Sequence, residues 1–211
     1  MLVADFMTRR VITITPETTM VEAVRLLESH GIRRMIVVRD QSVVGILTDG
    51  DVLRACPADL NPFSAMAAED PALKRTVGRC MTSPVETIPS DAPLEQAAGI
   101  FVEKKIGALP VMSGDSLVGI ITESDTLRAL ITLLGTGAGI RITFNVHDED
   151  EDVFAFVHGL SRRHKMQVAA LLSHERAGHR VVLVRLLGME SPGLMEEIWS
   201  SGHRVISVAR L

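Results

Sequence analysis

Two pairs of residues stand in the same chemical relation. Thr48 and Asp51, and again Thr122 and Asp125, form a Thr-x-x-Asp pattern after a β-branched run and ahead of a helical stretch. Each pair therefore falls where strand gives way to helix. The spacing suits a helix start, because the hydroxyl can cap an early amide and an acid is favoured at the positive helix end. It also suits recognition of a nucleoside phosphate. A carboxylate can accept hydrogen bonds from both hydroxyls of a ribose, while the Thr hydroxyl and helix-start amides face a phosphate. The two readings coexist. Catalysis has little support: neither pair has a nucleophile beside a base, a zinc-type His-Glu spacing, or a Gly-rich loop leading into a Lys. Gly135-Thr-Gly-Ala-Gly139 is Gly-rich, but no helix or Lys follows in register, so it reads as a hinge.

The elements that carry these pairs are duplicated. At an ungapped offset of 74 residues, 16 of 48 positions in 7–54 recur identically in 81–128. Chance would give about one in fifteen, so the similarity marks an internal repeat. Met7-Thr8 returns as Met81-Thr82, Thr13-Ile14 as Thr87-Ile88, and Gly45-Ile46 through Arg54 as Gly119-Ile120 through Arg128. Each copy predicts a short strand (Val11–Ile14; Val85–Ile88), a turn with Pro16 or Pro89, and an amphipathic helix. Thr19 and Glu22 form a capping-box pair in the first copy, and Pro93 suits the first helical turn in the second. Two strands follow (Met35–Val38 and Val43–Leu47; Ala108–Met112 and Leu117–Ile121), then a helix starting near Asp51 or Asp125. A β-α-β-β-α unit of this size cannot bury both faces of its sheet, but two copies packed together can.

Composition narrows the class. The 211 residues are 46% hydrophobic with a formal net charge of −4, which excludes disorder and a broad grip on phosphate backbones. Six Phe, one Trp and no Tyr give little for stacking bases, so no nucleic-acid partner is expected. Two cysteines, Cys56 and Cys80, exclude a disulfide scaffold and suit a reducing cytoplasm. Neither a signal peptide nor an apolar stretch of ~20 residues is present, so a cytoplasmic chain without membrane contact is expected.

The opening Met-Thr, the central Leu109-Pro110-Val111 and the closing Gly-hydrophobic-x-Thr-x-x-Asp resemble the CBS-domain family, specifically a tandem pair or Bateman module, over about residues 1–134. The resemblance implies a CBS repeat at 1–56, a linker at 57–76 and a second repeat at 77–134. It implies a regulatory ligand in the clefts (AMP, ADP, ATP or S-adenosylmethionine) and no required cofactor. Asp51 and Asp125 would then hold ribose, with Thr48 and Thr122 near phosphate. Thr13-Ile14 and Thr87-Ile88 would lie beside the adenine, with the isoleucines as an apolar wall. Arg33 and Arg34 fall where family members often hold phosphate contacts, and two guanidinium forks suit a di-anion. In the second copy Gly107 and Ala108 replace them, ahead of Pro110, and Lys104 and Lys105 stand upstream. The clefts are expected to be unequal, with Arg33 and Arg34 serving phosphate and a small Gly107-Ala108 wall admitting the base.

From Gly139 onward the pattern changes. Ile140, Ile142, Phe144 and Val146 alternate with polar residues, predicting a half-buried strand. An acidic run, Asp148–Asp152, leads into a helix carrying Val153, Val157 and Leu160. Strands at Met166–Leu172 and Arg180–Leu186 follow, then a helix with Ser191 as N-cap, Pro192 in its first turn and Leu194, Ile198 and Trp199 along it, then a strand at Val205–Val208. The β-α-β-β-α-β order is ferredoxin-like. A CBS pair followed by such a unit, here 139–211, resembles the CBS–ACT architecture of acetoin-utilisation-type proteins. ACT domains commonly bind amino acids near the turn after the first strand. There this chain carries His147-Asp-Glu-Asp-Glu-Asp152 where many have an Asp-x-Pro-Gly-like turn. A sheet-pairing oligomerisation module is the alternative use. Six of the seven histidines lie in this region, and His174 and His179 flank an expected turn. A metal or enzymatic role for it is a further alternative to the expected one: a non-catalytic, homodimeric sensor acting on a protein partner that the sequence does not identify.

Overall fold

The computed structural model describes residues 1–57, 60–64, 69–135, 137–147 and 152–210. Parts of the expected linker, and the acidic run apart from Asp152, lie outside the described residues. The chain divides into two compact units, Met1–Leu127 and Arg128–Leu211.

In the first unit, a short helix α1 (Val3–Phe6) precedes β1 (Thr13–Ile14), α2 (Met20–His30), β2 (Arg34–Arg39), β3 (Ser42–Thr48) and α3 (Asp49–Ala55). The second copy repeats this as β4 (Ile88–Pro89), α4 (Leu94–Lys104), β5 (Ala108–Ser113), β6 (Ser116–Thr122) and α5 (Glu123–Leu134), the last crossing the unit boundary. The Thr19 hydroxyl accepts from the Glu22 amide, and α2 buries Met20, Ala23, Val24 and Leu27 before Gly31 ends it in the left-handed region. Pro93 stands at the N-cap of α4, one position before the first turn expected of it.

Each copy folds into a three-stranded sheet, β1-β2-β3 and β4-β5-β6, whose first pair is parallel and second antiparallel. Both antiparallel ladders shift register at the same repeat position, Val37/Val38 and Val111/Met112. β1 and β4 are two residues long, shorter than the periodicity suggested.

The segment leading into each copy docks on the other. The Val3 and Ala4 amides donate to the Ala92 and Ser90 carbonyls, and Leu94 donates to Met1. Seventy-four residues on, the Val77 and Gly78 amides donate to Thr18 and Pro16, and Met20 donates to Arg75. Val3 and Val77 are fully buried, and Val77 packs into the core of Ile14, Met20, Leu27, Val37 and Leu47. Thr8 then pairs with Ile120, and Thr82 with Ile46, through reciprocal amide–carbonyl bonds of 2.9–3.1 Å. The conformational entropy of ordering each arm is therefore offset by apolar burial in the opposite copy.

The second unit holds β7 (Gly139–Asn145), α6 (Val153–His164), β8 (Gln167–Arg176), β9 (His179–Leu187), α7 (Leu194–Ser200) and β10 (Arg204–Arg210). The strands form one antiparallel sheet in the order β10-β7-β9-β8. The β-α-β-β-α-β order expected from periodicity is present, and β7 alternates buried and half-buried as anticipated. Its core gathers Ile140, Ile142 and Phe144 with Val157, Leu160, Leu194 and Ile198. The Asp152 carboxylate caps α6 through the Ala155 amide. One expectation is corrected. α7 begins after Gly193, not after Ser191, because the Ser191 hydroxyl is engaged by His164 Nδ1. Along α7, Leu194 and Ile198 are buried and Trp199 is 64% exposed.

Candidate functional site

Thr48 ends β3 and caps α3. Its amide and hydroxyl donate to Asp51 Oδ2 at 2.8 and 2.7 Å, and its hydroxyl accepts from the Asp51 amide. The reciprocal capping box is complete. At the second junction the Thr122 amide and hydroxyl likewise donate to Asp125 Oδ2, at 2.8 and 2.6 Å. Both aspartates are buried, at 6% and 2% exposure. Asp51 has a further partner: Arg54 donates to Oδ1 at 2.5 Å from a largely exposed position.

The first amides of α3 are all taken. Asp49 donates to the Arg33 carbonyl, Gly50 to Asp49 Oδ1, and Asp51 to the Thr48 hydroxyl. The expectation that helix-start amides face a phosphate does not match this geometry, because the chain satisfies those donors itself.

A cleft of about 470 Å³ opens beside Asp51. Of the residues singled out from sequence, Arg34, Thr48, Asp51 and Ala108 line it. Arg54, Thr82, Val85, Glu86, Lys104 and Lys105 join them. Arg33 is exposed and outside the lining, and its contribution to α3 is a backbone carbonyl. Ile14 and Ile88 are buried in the protein core, at 5% and 0%, and Thr13 and Thr87 are exposed away from the lining. The wall that these segments were expected to supply is made by Pro84, Val85 and Glu86, just upstream. Pro110 is buried in β5 opposite Ile120, and Thr122 and Asp125 stand at the equivalent junction of the second copy, also off this cleft.

Gly107 and Ala108 both line the cleft, and the absent side chain at Gly107 has a second consequence. A Cβ on Gly107 would lie 2.9 Å from an Arg34 guanidinium nitrogen and 3.3 Å from Glu123 Oε2. The missing side chain in the second copy thus leaves room for the arginine of the first. Arg34 and Lys105 enter no ion pair among the described residues, whereas Lys104 is paired with Glu86 at 2.6 Å. The pairing of Thr82 with Ile46 was the missed signal for this wall, since it brings the residues after Met81-Thr82 against β3.

His203 is buried between Phe144, stacked at 4.8 Å, and Phe156, edge-on at 4.7 Å, and accepts from the His147 amide. The β8–β9 register sets Arg176 opposite His179 and Val181 opposite His174. Among the described residues, no group of three or more His, Cys, Asp or Glu is placed to hold a metal ion, and no helix is long and apolar enough to cross a membrane.

Comparison with known proteins agrees with the architecture of the first unit. Among solved structures, the chain is similar to the Vibrio cholerae protein assigned to acetoin utilization, AcuB (31% identical, 64% of this chain, 93% of that one, TM-score 0.53). It is similar to the CBS domain pair of protein MJ0100, solved with 5′-methylthioadenosine and S-adenosyl-L-methionine (27% identical, 62% and 95% covered, TM-score 0.52). It also resembles CBSX2 of Arabidopsis thaliana, solved with AMP (28% identical, 61% and 95% covered, TM-score 0.51). The chain spans about a third to two thirds of the length of the first curated relatives it matches. The CBS domain model matches twice, at residues 3–58 and 77–132, more than half of the chain, and the chain belongs to the CBS-domain family.

Proposed function

We propose that the chain is a non-catalytic regulatory sensor that binds an adenine nucleotide or adenosyl compound in its CBS pair. The observation that carries this reading is the cleft beside Asp51, where three carboxylates, two threonines and four basic side chains converge. The neighbours solved with AMP and with S-adenosyl-L-methionine support the ligand class. In this reading residues 1–56 and 77–134 are the two CBS repeats, 57–76 connects them, and 139–211 is an ACT-like module. Ligand binding shifts the packing of the repeats by its differential affinity for two arrangements, and so biases a homodimer or a partner protein in the cytoplasm.

Titration calorimetry with AMP, ATP and S-adenosylmethionine tests the proposal. Binding by the native chain and its loss in Asp51→Ala/Asp125→Ala is the expected result. Silence at millimolar ligand would leave both aspartates as helix caps in a structural module, and undiminished binding by the double variant would put the ligand away from both aspartates. The complete capping box at Thr48–Asp51 and the bonds from Thr122 to Asp125 favour the structural module on their own.

A further inference from the structure

Both carboxylate oxygens of Asp51, which an incoming ribose would use, are already engaged by the protein. Oδ2 holds the Thr48 amide and hydroxyl, and Oδ1 holds Arg54. Thr48 cannot leave without undoing the start of α3. Arg54 can, because its side chain is 74% exposed and its guanidinium can turn to water or to another acceptor once the ribose hydroxyls take its place on the buried carboxylate. We propose that Arg54 is a latch on Asp51, displaced by the ribose, and that the latch makes this cleft selective for 5′-phosphorylated ribonucleosides. The inference rests on the reading above that a ribose occupies Asp51.

The displaced guanidinium does not leave the cleft, since Arg54 is part of its wall. There it joins Arg34 and Lys105, which have no ion pair among the described residues. Lys104 stays occupied by Glu86, and Asp49 is the remaining carboxylate on the wall. A ligand with a neutral 5′ group removes Arg54 from its carboxylate and returns nothing to it. One with a cationic sulfonium sets a further positive charge among three cations. A phosphate gives all three an anionic partner through charge-assisted hydrogen bonds, which are stronger than neutral ones. The filled amides of α3 leave this task to the side chains.

The test is calorimetric titration of the intact chain with AMP, adenosine and S-adenosylmethionine, in native, Arg54→Met and Arg54→Lys forms. The native chain should bind AMP at least about tenfold more tightly than adenosine or S-adenosylmethionine. Arg54→Met should tighten adenosine, weaken AMP and shrink the AMP-over-adenosine ratio by about tenfold, with Arg54→Lys intermediate. Unfolding curves matching the native one would show that the exposed substitution leaves the fold intact. An unchanged ratio in Arg54→Met overturns the latch, as does a native preference for adenosine or S-adenosylmethionine. If none of the three binds, the ribose reading of Asp51 fails first and takes the latch with it, a result distinct from binding without phosphate preference.

Discussion

The sulfur of Met81 lies 2.6 Å from the point that a Cβ on Gly45 would occupy, and the Thr82 carbonyl lies 2.9 Å from it. Met7 and Thr8 stand in the same relation to Gly119 in the other copy. The Met-Thr that opens each repeat and the Gly that begins its closing motif are thus two halves of one contact, made across the pair. Gly45→Ala should cost about 1–3 kcal/mol, since the sulfur can shift but the paired backbone carbonyl cannot do so freely. Urea unfolding checks this. Combining it with Met81→Ala should recover part of the loss, and a neutral Gly45→Ala would show that the ladder yields easily.

The docked arms predict a crossed effect. Removing residues 1–6 takes away the acceptor of the Leu94 amide but leaves that of Met20, which is Arg75. Hydrogen exchange at Leu94 should therefore accelerate more than at Met20. Equal acceleration would mean that the copies unfold as one body. Val3→Ala and Val77→Ala, both at fully buried positions, should each destabilise the chain by roughly 1–3 kcal/mol.

Asp51 has a structural duty separable from any ligand. Asp51→Asn keeps the side-chain shape but weakens the bonds from Thr48 and Arg54, so the ligand-free chain should lose about 1–2 kcal/mol. Thermal unfolding without nucleotide measures this term. A variant of unchanged stability would mean that the carboxylate is not needed for the cap.

In the second unit, Glu197 joins the end of α6 to α7 by accepting from Arg163 and from His164, the latter at 2.8 Å. The Arg163 hydrogen bond leads in holding the Glu197 carboxyl below its ordinary range, with His164 adding to it. A depressed carboxyl stabilises the fold above its unfolded value and loses that contribution as pH falls through its lower folded value. The native chain should therefore lose more stability than Glu197→Gln does as pH falls from the ordinary carboxylate range toward the lower folded value. Thermal melts of both across the acidic range check this, and parallel curves would show that the network contributes nothing.

What could be read in advance followed local rules. The α2 cap at Thr19, the alternation along β7 and the placement of Thr48-x-x-Asp51 at a strand–helix junction need only neighbours within a few residues. The cleft did not, because its wall is built across the repeat. Pro84–Glu86 face it instead of Thr87–Ile88, since the pairing of Thr82 with Ile46 carries the earlier segment over β3 while Ile88 turns into the core. Arg34 reaches the room left at Gly107, a relation between residues far apart in the chain. Ser191 had a cap-like sequence, and a distant histidine competed for its hydroxyl.

The exchanged arms bear on how such a chain can arise. A single copy with its own arm carries both halves of every crossed contact, so two identical chains can close the same arrangement about a true twofold axis. Joining them replaces a concentration-dependent encounter with a tethered one. It also lifts a constraint that symmetry imposes. In a pair of identical chains, an arginine gained at one cleft appears at the other, and since Gly107 stands at the repeat position of Arg33, Arg34 would there face a second arginine. Here Arg34 is opposed by Gly107, and that inequality is open only to a duplicated gene.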